Sequence, residues 1–400
     1  MLLHKVPWKT GTTFATVTSS YITYLKSNYG DNVTIVFDGY DDLTTKSSER
    51  DRRSKKFISV EYRFNENTKV AVEKGKFLSN NNNKKNFIKL LHDCRVRENF
   101  KSITCKGDAD RTIATEAIVN DYFPDKKVVV VSEDIDVLVI LTALAEDQEI
   151  YFLKPKSSSG TVRKKIFSTK SLDSRYANVK KRILFAHAFT GCDTTSAFFN
   201  RGKKSFFDII NRDTPVSKKL CKAVDLFRMH VESVDELLDG GVDCLLELYG
   251  YKLKISGDNL TPKQKLSKAR YDMFLKKNTL HMKSTKKNTV NIATLPLAIN
   301  GFREHLKRVY YQVQSWIGFL TQSNEVPTLN PTDWGWKLNS MVRAMCLHRA
   351  NFLHKRRKLT CVSIDIYVGL SRSIACKSSA LAREIDGQKQ TARQFQNRNE

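Results

Sequence analysis

The chain lacks any paired-cysteine motif. Its eight cysteines (Cys94, Cys105, Cys192, Cys221, Cys244, Cys346, Cys361 and Cys376) are scattered without a C-x-x-C, which indicates neither a zinc ribbon nor a disulfide framework. The nearest approach to a metal cluster is Cys346, His348, His354 and Cys361; ligand types recur by chance in a chain of this length, so no zinc site is assigned. Long hydrophobic runs are lacking too. The longest, Val137 to Ala145, is far too short to cross a bilayer, and no long basic amphipathic helix suits a membrane surface. The opening residues, Met1 to Trp8, lack the apolar core of a signal peptide. A soluble intracellular protein with no membrane partner is therefore expected. No internal repeat is found, and no acidic residue precedes Asp31. Acidic residues are scarce overall: 42 Asp and Glu face 68 Lys and Arg, a formal net charge of +26. Such a field draws phosphate polymers to the surface, so nucleic acid is the expected partner.

Four hundred residues at 40% hydrophobic content can bury a substantial core. From Val33 to about Ile210, short β-branched runs (Val33 to Phe37, Val128 to Val131, Ile150 to Leu153) alternate with helix-like stretches (Phe14 to Tyr29, Thr112 to Tyr122, Lys180 to Phe189). That pattern predicts an α/β class with a mainly parallel central sheet. Val128 to Val131 reads as a strand buried on both faces. The polar stretch Asn80 to Asn86 reads as a loop tip. Residues 1–255 are expected to form the main domain, and the lysine-rich, apolar-poor stretch 256–291 a basic linker or loop. Residues 292–340 should hold a helical extension, since Leu306, Val309, Tyr310, Val313, Trp316 and Ile317 recur at spacings of three and four. Residues 341–400 show no persuasive organisation.

The acidic residues that remain fall in a telling order. Ile35-Val-Phe-Asp38-Gly39 is followed by Gly107-Asp108-Ala-Asp110, then by Ser132-Glu-Asp134-Ile-Asp136, then by Gly191-Cys-Asp193. In a parallel sheet the C-terminal strand ends share one crevice, so acids placed just after strands converge there. Asp38 and the pair Asp134 and Asp136 follow strand-like runs. Asp108 and Asp110 stand at a helix start, where backbone N–H groups tolerate negative charge. Gly191 permits a sharp turn that presents Asp193. Convergent carboxylate oxygens suit two hard divalent cations about 4 Å apart, the arrangement that activates water and neutralises charge in phosphodiester hydrolysis. Taken singly, each acid reads as an ordinary turn or cap residue; Glu133 reads either as solvated or as a support behind the ligands.

In that order the motifs resemble the flap endonuclease (XPG-type, PIN-like) nuclease family over roughly Thr34 to Ile210. The resemblance implies a PIN-like three-layer core followed by a helical extension. It implies Asp38, Asp108, Asp110, Asp134, Asp136 and Asp193 as ligands of two magnesium or manganese ions. Lys46 and Arg53, seven residues apart and so on one helix face, would grip the scissile phosphate; a solvated basic face is the plain alternative. Gly202, Lys203 and Lys204 match the end of the family's backbone-binding turn, whose earlier glycine is missing here. The family's first-strand Asp has no counterpart, and the sequence is expected to begin just after that strand. The implied activity is metal-dependent, structure-selective hydrolysis of DNA or RNA phosphodiesters by a two-metal mechanism, with DNA the favoured partner. The alternatives are an inactive descendant that binds nucleic acid without cutting, and a basic scaffold for acidic proteins. Lys355-Arg-Arg-Lys358 suits nuclear import, with the cytoplasm as the alternative location.

Overall fold

The computed structural model of the chain describes residues 2–37, 60–97, 100–105, 109–120, 126–155, 165–172, 176–252, 260–282, 290–318, 329–339, 344–347 and 365–371. The chain divides into two compact units, one of residues 1–41, 51–171 and 360–400, the other of 42–50 and 172–359. Residue 255, the expected end of the main domain, falls within the second of these units.

The first unit is a mixed α/β fold. Helices α1 (Leu2–Lys5) and α2 (Phe14–Tyr29) precede strand β1 (Val33–Phe37); α3 (Lys74–Ser79) and α4 (Asn81–Arg97) lead into β2 (Lys101–Thr104). Then come α5 (Ala109–Asn120), β3 (Lys126–Val131), α6 (Ile135–Leu144), β4 (Tyr151–Lys154) and β5 (Lys165–Ser168). The last strand, here β8 (Asp365–Ser371), comes from the far end of the chain.

The six-stranded sheet has the order β2-β1-β8-β3-β4-β5. β1 pairs parallel with β2, and β3 parallel with β4, while β8 lies antiparallel between β1 and β3 and β5 lies antiparallel on β4. Four strands thus share one direction, as expected, but β8 runs against both its neighbours at the sheet's centre. All five residues of β1 are buried. Val33, Ile35, Phe37, Val129, Val131, Tyr151 and Leu153 face one way, into a core with Phe14, Tyr21 and Leu25 of α2 and Phe87 and Leu91 of α4. Strand alternation turns Val36, Val128, Val130 and Phe152 to the other side, and all four are buried.

Asn83 corrects the loop expected at Asn80 to Asn86, which instead opens α4. Its buried side chain accepts from Tyr62 N at 2.7 Å and donates to Val60 O at 2.9 Å. A polar side chain satisfied in this way is a fixed part of the core.

The second unit is built mainly of helices. α7 (Ala177–Thr190) is buried on every side from Ile183 to Thr190, so it forms the centre. Around the unit run α8 (Lys203–Ile210), α9 (Pro215–Asp225), α10 (Asp235–Leu248), α11 (Pro262–Met282) and α12 (Ile299–Ile317), with a hairpin of β6 (Trp336–Asn339) and β7 (Ala344–Leu347). Phe185 of α7 packs against Phe189, Phe206 and Phe227, while Phe189 also meets Phe302 and His305 of α12. The expected amphipathic helix is α12. The expected linker is corrected by α11, 21 residues long.

Candidate active site

Each parallel strand of the first unit hands its chain to the same end of the sheet. The ladders persist to the last residue there: Cys105 N donates to Phe37 O at 3.0 Å and Ser132 N to Leu153 O at 3.1 Å. Beyond β1 the chain continues into Asp38, beyond β2 into Asp108 and Asp110, and beyond β3 into Asp134 and Asp136. Asp38, Lys46, Arg53 and Asp108 lie outside the described residues.

Asp110 stands in the first turn of α5 and is only 5% exposed. The N-terminal N–H groups of that helix favour its negative charge where water is largely absent. After β3, buried Ser132 accepts from Asp134 N at 2.9 Å through Oγ. Asp134 in turn caps α6, its Oδ1 accepting from Asp136 N at 2.9 Å. Two successive side-chain turns therefore hold the Ser-Glu-Asp-x-Asp motif, and Asp136 sits half-buried in the first helical turn. Glu133 forms an ion pair with Lys5 at 3.0 Å rather than standing fully in solvent.

One acidic residue at this end escaped the sequence reading. Asp365 opens β8, and its register partner on β1 is Val36, while the next residue, Ile366, pairs with Val131 of β3. Because β8 runs antiparallel, its first residue falls where the neighbouring strands finish. The alternation through Ile364, Ile366, Val368 and Leu370 is the signal that could have revealed the strand.

Asp193 belongs to the second unit. Its turn is fixed from several sides. Gly191 has φ +112°, and a Cβ there would lie 2.7 Å from the Cα of Ala197, so only glycine fits. Thr195 accepts from Cys192 N at 3.0 Å and donates to Ala188 O at 2.6 Å, while Thr194 donates to Gln312 Oε1 at 2.5 Å. Gln312 was not foreseen, since it lies 118 residues from its partner. Gly202 is the exposed N-cap of α8. Lys203 donates from Nζ to Gly191 O at 2.6 Å, so this amino group braces the turn. Lys204 is exposed.

Among the described residues, no three His, Cys, Asp or Glu side chains gather into a group able to hold a metal ion. No helix among them is long and apolar enough to cross a membrane. Comparison with protein-family models, with curated proteins and with solved structures finds no match for this chain.

Proposed function

We propose that the chain is a metal-dependent nuclease with a PIN-like core, acting on DNA that carries single-stranded parts. The observation that supports this reading is the shared sheet end. Strands β1, β2 and β3 run the same way and lead within a few residues into Asp38, Asp108 and Asp134, and β8 begins with Asp365 between β1 and β3. The donors are all carboxylate oxygens, the ligands that hard cations such as magnesium and manganese prefer. Bound there, such a cation supplies an activated water and offsets charge on the phosphate. Asp134 is held in place through Ser132, and Asp110 stands in the first turn of α5. In this reading Asp365 takes the part of the acid that the resemblance leads one to expect on a first strand. The net charge of +26 serves to gather the polyanion.

The test is cleavage of an end-labelled DNA flap by the full chain with magnesium or manganese, beside Asp136→Asn and Asp365→Asn. Each variant should lose at least about 100-fold in rate, more than the loss typical of residues that merely orient a ligand. Equal residual cutting by wild type and both variants would sink the proposal, and DNA binding without metal-dependent cutting would leave the non-catalytic descendant as the reading.

A further inference from the structure

Helix α11 carries a surface that its own unit does not cover. Its first half is anchored: Leu266 and Ala269 are buried, and Lys265 forms ion pairs with Asp239 at 2.6 Å and Asp243 at 3.5 Å on α10. Asp272 accepts from the Tyr251 hydroxyl at 2.9 Å. Past this point the apolar side chains turn outward. Tyr271 is 62% exposed, Phe274 37% and Leu275 42%. Positions three and four apart share a helix face, so these three form one stripe. Lys268 and Lys276 are exposed near it. The helix holds Lys263, Lys265, Lys268, Arg270, Lys276 and Lys277 against one acid, Asp272, and Lys283, Lys286 and Lys287 follow in the sequence.

An exposed aromatic stripe on so basic a helix narrows the choice of partner. A second copy of the helix would set cations against cations. Duplex DNA offers phosphates but keeps its base faces stacked inside. Single-stranded nucleic acid offers both features, phosphates for lysine and bare base faces for aromatic rings. We propose that α11 is a binding ridge for single-stranded nucleic acid, with Tyr271 and Phe274 stacking on bases and Lys268, Lys276 and Lys277 meeting the backbone. The two rings are about 4.5 Å apart along the helix axis, within reach of neighbouring nucleotides. This goes beyond the cleavage reading and does not need it, because the ridge requires no metal.

Binding is therefore measured with EDTA present, by anisotropy of a labelled 20-nucleotide oligothymidine and of a 20-base-pair duplex. The double variant Tyr271→Ala, Phe274→Ala should bind the oligothymidine about 30-fold more weakly or worse and bind the duplex almost unchanged. Both rings are exposed, so its melting temperature should stay within about 1 °C of wild type. Base stacking should quench the fluorescence of a Tyr271→Trp variant. Lys276→Gln with Lys277→Gln should reduce the salt slope by about 1.4. The proposal fails if the oligothymidine does not bind, if the aromatic double variant binds it as tightly as wild type, or if that variant instead abolishes a concentration-dependent dimer.

Discussion

Asp134 is assigned two tasks by its position, and substitution can separate them. Its Oδ1 caps α6 through the 2.9 Å bond from Asp136 N, and its charge would serve a cation at the sheet end. Asn keeps the capping oxygen and removes the charge; Ala removes both. Loss of an Asp or Asn cap to Ala costs about 1 kcal/mol, within a range of roughly 0.5–2. In a domain of roughly 150–250 residues this lowers the melting temperature by about 2–4 °C. Asp134→Asn loses only the attraction of a carboxylate for the helix N-terminus, about 0.3–1 kcal/mol when exposed, so its melting temperature should lie between the other two. Cleavage should order the proteins differently, with Asn and Ala both at least about 100-fold below wild type. Thermal unfolding by circular dichroism and cleavage of a labelled flap, run on the same three preparations, read the two orders. An Asn variant that cuts like wild type would reduce Asp134 to a helix cap. An Asn variant that melts as early as Ala would refute the capping argument.

Gly191→Ala should destabilise the second unit by about 2 kcal/mol or more, because it places a side chain at φ +112° and 2.7 Å from a backbone carbon. Gly202→Ala meets nothing within 4 Å and should cost no more than about 1 kcal/mol; equal losses in urea unfolding would contradict the geometry. His305 yields a pH signature. Burial, and then the nearby Arg308 charge, lower its pKa from 6.5 to about 3 against the opposing bond to Phe189 O. Between those values the unfolded chain takes up a proton that the folded chain refuses. Its contribution is thus complete above pH 6.5 and is lost as pH falls toward 3, by up to about 1.4 kcal/mol per pH unit. Relative to His305→Gln, wild type should lose about 2 kcal/mol between pH 6.5 and 4.5, and parallel stability profiles would rule this out.

The elements that could be read in advance are those with a local pattern. Phe14–Tyr29 and Val33–Phe37 are found with the expected limits, and the helix placed at Lys180 to Phe189 runs from Ala177 to Thr190. α11 was hidden because only Leu266 and Ala269 give it a short buried face; the rest of its hold on the unit comes from contacts such as Lys265 with Asp239 and Asp243, which are distant in sequence. Asn83 was misread for the same reason, since its partner Tyr62 is 21 residues away. At the sheet end, Asp134 and Asp136 were legible because they follow a strand-like run, and Asp110 because it stands at a helix start. Asp365 was not, because it opens an antiparallel strand, and nothing in its neighbourhood tells which strands will receive it.

The central position of β8 also dictates an order of events during synthesis. β1 and β3 leave the ribosome early, yet the strand between them is made more than two hundred residues after β3. Until then, β1 and β3 each present an unpaired apolar backbone edge, the kind of surface that recruits other strands. Final assembly of the sheet must wait for β8, and contacts of such sequence separation form slowly. A chain interrupted before Asp365 would keep every other described strand and helix of this unit and still lack the middle of its sheet, which makes it a natural client for chaperones.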